Sequence, residues 1–302
     1  MKPSPLRLLQ PLLLAASLAM PAFAAESPAQ SPAAQPAALE LQVINHGAGS
    51  FHVNSVLVKG AREAILLDTG FTRADALRVA AAVLDSGRTL STVYVSAADP
   101  DYYFGLEVLR EQFPQARFVA AAPTLQKIQA LLSTKLKVWG PRLGANAPRQ
   151  PVLPEVLEGS TLQLEGRALE IRGLDEALPH RSYVWIPSIR AIVGGVNVFG
   201  QLHAWTADTQ SDRERADWRA KLERMAALQP AVVVPGHMLP GTPLDAGTLI
   251  ATRDYLQRFE QELPRAPDAA ALIATMKAAY PQAGLGVALE IGAKVNKGEM
   301  KW

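Results

Sequence analysis

Residues 93–109 read VYVSAADPDYYFGLEVL. An apolar strand runs into a loop that holds two carboxylates, Asp99 and Asp101, and Gly105 opens the helix that follows. Loops at the carboxyl ends of strands are where α/β proteins keep their working residues. Two further strand ends carry groups of the same kind. Residues 64–70 (AILLDTG) are an apolar run that stops at Asp68 and a glycine turn, and residues 231–237 (AVVVPGH) stop at His237. Carboxylates and an imidazole brought together in this way can move protons, activate water or ligate a metal ion. The chain has no cysteine, which removes thiolate ligands, disulfides and a cysteine nucleophile. It also lacks a G-x-S-x-G nucleophile elbow and a P-loop.

These groups need strands and helices to position them. Strands are expected at residues 51–58, 64–68, 92–96, 117–121, 162–171, 182–186, 191–193 and 231–235, from alternating or continuous apolar runs. Helical periodicity is expected at 73–84, 106–113, 125–136, 211–228 and 248–263, and Leu272, Ile273, Met276 and Tyr280 mark one more apolar helical face. The order is a strand hairpin, then alternating helix and strand, then strands, then helices. It predicts sheets covered by helices on their outer faces.

The 302 residues are 49% hydrophobic and 19% charged, with a net charge of +2, so a large core is available and no basic patch points to nucleic acid. Lys2 and Arg7, an apolar stretch at 8–20 and the small-residue site Ala22-Phe23-Ala24 predict a signal peptide over 1–24. Pro11 and Ser17 interrupt that stretch, which is too short for a stable membrane span. Residues 25–38, rich in Pro, Ala, Ser and Gln, predict a disordered linker, which leaves 39–302 as one domain. The expected location is exported, periplasmic.

The LLDTG strand, the Asp-rich loop ending in Gly105 and the terminal Pro235-Gly236-His237 together resemble the metallo-β-lactamase fold superfamily over most of the chain after Leu39. The resemblance implies a four-layer αββα sandwich with a metal site at one edge of its two sheets. It also implies a His-x-His-x-Asp-His loop, and here the match is partial. The motif's histidines fall on Ala97, Asp99 and Tyr102, its Asp on Asp101 and its Gly on Gly105. A later His falls on His180, the carboxylate that bridges two metals falls on Val196, and the final His is His237. Asp68 matches the strand-end Asp that orients the motif loop.

Carried over in this way, Asp99, Asp101, His180 and His237 are the candidate ligands of at most one divalent ion, zinc ahead of manganese or iron. Asp101 is then the candidate catalytic base for hydrolysis of a small ester, lactone or lactam. Tyr102, His203 and Trp205 are candidate substrate contacts. For His203 and Trp205 loop packing is the stronger expectation, and for Tyr102-Tyr103-Phe104 packing and cleft lining stand even. His52 is expected on a face of the first hairpin. The alternative from a different functional class is a metal-free binding or accessory protein on the same scaffold.

Overall fold

A computed structural model describes residues 38–302, together with Met1 and Ser4. The expected signal peptide and linker otherwise lie outside the described residues.

Strands β1 (Glu40–Asn45), β2 (Asn54–Lys59) and β3 (Glu63–Leu67) form an antiparallel meander. Helix α1 (Arg73–Asp85) crosses to β4 (Thr89–Val95), which lies parallel to β3. The short α2 (Pro100–Tyr103) and α3 (Leu106–Gln112) lead to β5 (Arg117–Ala120), and α4 (Ala122–Leu143) leads to β6 (Glu155–Val156). The first sheet has the order β1-β2-β3-β4-β5-β6.

The second sheet uses β7 (Thr161–Leu164), β8 (Arg167–Arg172), β9 (Tyr183–Ile186) and β10 (Ala191–Val193). After β11 (Phe199–Gly200) and α5 (Asp212–Ala227), β12 (Val232–Val233) joins its edge, giving the order β12-β10-β9-β8-β7. β13 (His237–Met238) pairs in parallel with β11. Helices α6 (Gly247–Glu262), α7 (Ala269–Ala279) and α8 (Gly286–Asn296) complete the described chain.

Side chains alternate across a strand, and the alternation decides the layers. Val56, Val58, Ile65, Leu67, Tyr94 and Val119 of the first sheet cluster with Leu162, Leu164, Leu169, Ile171, Val184 and Val193 of the second. Their neighbours Leu57, Leu66, Val93 and Phe118 point the other way and join Val79 and Val83 of α1 and Leu109 of α3. On the far sheet, Tyr183, Trp185 and Ile192 face Trp218, Leu222 and Met225 of α5. The result is the expected αββα sandwich.

Two strand expectations need correction. Residues 162–171 are not one strand but the hairpin β7–β8, because Glu165 and Gly166 both take positive φ, 49° and 77°, as a two-residue turn requires. The first hairpin strand begins at Asn54 rather than at 51. Phe51 and His52 sit instead in a left-handed bend with φ 56° each, so His52 is not a face residue of the strand.

Helix α1 begins in a capping box: Thr72 accepts from Asp75 N, and Asp75 accepts from Thr72 N. Thr72→Ala is expected to cost about 1 kcal/mol in chemical denaturation, with the midpoint shifted and the slope unchanged.

Candidate functional site

The carboxyl ends of β3, β4, β10 and β12 meet at one edge of the sandwich. Asp68 follows β3 with φ 64° and is 1% exposed. Its carboxylate accepts from Ser96 N at 2.8 Å and Ser96 Oγ at 2.6 Å, and Ser96 Oγ accepts from Gly195 N at 2.7 Å. Three strand ends are thereby tied together. Burial pushes the Asp68 carboxyl up to about 7, against the pull of the two Ser96 bonds. Thr69 continues the clamp: its N–H and Oγ1 donate to Tyr102 O, and Oγ1 accepts from Gly105 N at 3.1 Å.

Asp101, in the first turn of α2, lies with Oδ2 3.5 Å from His237 Nε2, and both residues are 5% exposed. His237 Nδ1 lies 2.9 Å from Phe51 O. A carbonyl only accepts, so Nδ1 carries the proton and the Nε2 lone pair faces Asp101. Burial drives the imidazole down to about 4. Burial and the Asp99 charge raise the Asp101 carboxyl well above its usual range. At neutral pH the imidazole of the pair is therefore neutral. The ring of His237 stacks on Phe199 at 5.1 Å with an interplanar angle of 5° and meets Tyr102 edge-on. The left-handed bend at Phe51 is what delivers the carbonyl to His237, so the strained backbone sits where the site needs it.

Asp99 occupies the N-cap position of α2, yet its side chain caps nothing. It lines the same pocket as Asp101 and His237, and burial together with Asp208 raises its carboxyl. His180 is half-buried in the loop between β8 and β9. That loop is held by Lys221 of α5, whose ammonium donates to Leu178 O at 2.8 Å and Arg181 O at 2.9 Å. Burial, then the charges of Arg181, Lys127 and Lys221, push the His180 imidazole down to about 4. Arg181 is 3% exposed, lies 4.0 Å over the Trp218 ring and donates to Val196 O at 2.8 Å.

The family model of the metallo-beta-lactamase superfamily matches residues 48–237, more than half of the chain. This chain belongs to the metallo-β-lactamase superfamily. Solved structures agree on the fold. A metallo-beta-lactamase family protein from Thermus thermophilus superposes with a TM-score of 0.62 at 16% identity, over 87% of this chain and 92% of that one. The DIM-1 metallo-beta-lactamase gives 0.53 at 18% identity, over 74% and 99%. The metallo-beta-lactamase from Pontibacter korlensis gives 0.52 at 19%, over 72% and 99%. No curated protein matches the chain.

The residues present do not fit the metal ion that membership of the metallo-β-lactamase superfamily implies. Ala97 and Val196 offer no donor atom in their side chains. Tyr102 is fully buried, and burial followed by the charges of Asp101, Asp68 and Asp99 holds its phenol well above the usual range, so it keeps its proton. Its hydroxyl reaches Gly195 O at 3.4 Å and fills the space beside Gly236, where an added Cβ would lie 2.4 Å from it. The expected set of Asp99, Asp101, His180 and His237 is not brought together. Among the described residues, no three His, Asp or Glu side chains form a group able to hold a metal ion.

The space above Asp101 and His237 is a pocket of about 40 Å³ walled by Phe51, Phe71, Trp139, Trp205 and Trp302. Phe51 meets Phe71 at 5.4 Å and Trp139 edge-on at 5.4 Å. Trp205 is thus a pocket wall, packed against Trp302 at 5.4 Å. His203 is turned away from it, with Nδ1 3.1 Å from Tyr255 Oη. Tyr102, Tyr103 and Phe104 are all buried and serve as packing. The sequence reading missed Phe51, Lys135, Trp139 and Trp302. The only signal for them is the four-residue spacing of Lys135 and Trp139, which places both on one face of α4.

Proposed function

We propose that this chain is a metal-independent, small-molecule-binding member of the superfamily, exported to the periplasm. The observation that carries the reading is Tyr102. It stands where the resemblance places the last motif histidine, and its ring fills the volume between Gly195, Gly236 and His237. A neutral phenol is a poor metal ligand, and Asp101 and His237 alone fall short of the three protein ligands a catalytic zinc site uses.

Room for a small ligand lies beside this aromatic pocket, in an adjoining groove of about 710 Å³ that shares Lys135, Trp139 and Trp302 with it. Apolar aromatic walls with a few polar groups among them are the usual make-up of small-molecule sites. Export is supported by the pattern of residues 1–24, and among the described residues no helix is long and apolar enough to cross a membrane.

Plasma mass spectrometry on protein purified without chelator or affinity tag tests the metal question. The expected result is no zinc, manganese or iron above background, even after incubation with each ion. About one equivalent per chain, lost in an Asp101→Ala, His237→Ala double variant, would overturn the proposal in favour of a mononuclear hydrolase.

A further inference from the structure

Lys135 lines the pocket wall and, as a residue, is 9% exposed. Among the described residues it has no ion pair or hydrogen bond, and its ammonium lies 5.1 Å from the centre of the Trp302 ring. The ammonium itself stays open to solvent, so it can receive an anion from the groove. Asp99 and Asp101 feel the charge from beyond ion-pair range.

Lys135 lines two adjoining spaces that also share Trp139 and Trp302. The inner one is the pocket over Asp101 and His237. The outer one is a groove of about 710 Å³ between α4 and the segment at 300–302. Its apolar walls are Leu131, Val138, Trp139 and Trp302, and its basic groups are Lys127, Lys135, Arg142 and Lys301. Its acids already have partners. Asp208 accepts from Trp302 Nε1 at 2.8 Å, and Glu214 accepts from the backbone and hydroxyl of Ser211. Lys127, Leu131, Lys135 and Trp139 follow one another at four-residue steps, so one face of α4 presents cations and apolar surface together.

We propose that this groove binds an aromatic carboxylate, with its ring between Trp139 and Trp302 and its carboxylate on the Lys135 ammonium, Lys127 adding charge at the mouth. Indole walls favour a flat ring, which stacks or meets them edge-on. Asp99 and Asp101 behind Lys135 disfavour a doubly charged anion such as a phosphate. An organic cation is disfavoured because Lys135 already holds the position that faces those carboxylates. The inference rests on the metal-independent reading, since the anion's anchor is an ammonium and not a metal ion.

Calorimetric titration of the protein with 2-naphthoate, 2-naphthylmethanol and 2-naphthylmethylammonium tests it, each run before and after chelator treatment. Naphthoate is expected to bind at least about tenfold more tightly than the alcohol, and the ammonium compound more weakly than either. Lys135→Met is expected to bring naphthoate down to the affinity of the alcohol without changing the alcohol itself. Lys135→Arg keeps the charge and is expected to retain the preference, and thermal melts of both variants check that they fold. Equal binding of naphthoate and alcohol, or best binding of the ammonium compound, overturns the proposal and leaves the metal-independent reading standing. Naphthoate binding that chelator abolishes and zinc restores overturns both.

Discussion

Asp68→Asn is expected to flatten the dependence of stability on pH between about pH 4 and pH 7. In the folded chain Asp68 keeps its proton up to about pH 7, whereas an unperturbed Asp titrates at 3.8. The folded state therefore holds a proton that the unfolded state releases across this window. The stability gained by burying a neutral carboxyl is complete below about pH 4 and is lost as pH rises to about 7. A shift of about three pKa units corresponds to a loss of roughly 4 kcal/mol across the window. The amide keeps the shape and cannot ionise, and Asn tolerates the left-handed backbone at this position. The difference in unfolding free energy between variant and parent, measured by urea denaturation, is therefore expected to move by about 4 kcal/mol in the variant's favour from pH 4 to pH 8. Any fixed cost of the altered bond to Ser96 cancels in that comparison. Parallel profiles for the two proteins would show that Asp68 is ionised when folded.

Gly105→Ala and Gly236→Ala are each expected to cost about 3 kcal/mol or more, enough to threaten folding. At Gly105 an added Cβ would lie 2.3 Å from Thr69 O and 2.8 Å from Ala76 Cβ. At Gly236 it would lie 2.3 Å from Gly195 O and 2.4 Å from Tyr102 Oη. In both places backbone atoms of another strand end must move, and flexible side chains cannot absorb the clash. Gly286, in the first turn of α8, has nothing within 4 Å of such a Cβ, so Gly286→Ala is the control. It is expected to be neutral or to stabilise by up to about 1 kcal/mol, because alanine loses less backbone freedom in a helix. Thermal melts of the three variants check the ordering. Melting of Gly105→Ala within a degree or two of the parent would mean that the approach to Thr69 is looser than 2.3 Å implies.

Much of the sandwich is legible along the chain because the pattern is local. In β2 and β3, Val56, Val58, Ile65 and Leu67 turn inward while Leu57 and Leu66 turn outward, and a period of two is visible in sequence. The 162–171 stretch misled because Glu165 is an ordinary residue at a left-handed turn position. Only Gly166 beside it carries the turn signal, and a single glycine inside an apolar run reads as well for a bulge.

The site divides in the same way. Asp101 and His237 were readable as neighbours through the family resemblance: one follows β4 of the first sheet, the other β12 of the second, and these ends meet at one edge of the sandwich. The placing of His180 was not readable, since its loop is held by Lys221 of α5, some forty residues further on.

By itself the sequence determined the superfamily, the layered fold and the loss of donor atoms at Ala97 and Val196, since each follows from residue identity and local periodicity. Tertiary structure alone decided that Tyr102 occupies the space a ligand would need. It also decided that the pocket is walled by Phe51, Trp139, Trp205 and Trp302, and that among the described residues no carboxylate comes within ion-pair distance of Lys135. These are matters of distance between segments far apart in the chain, and no local pattern of residue types encodes such distances.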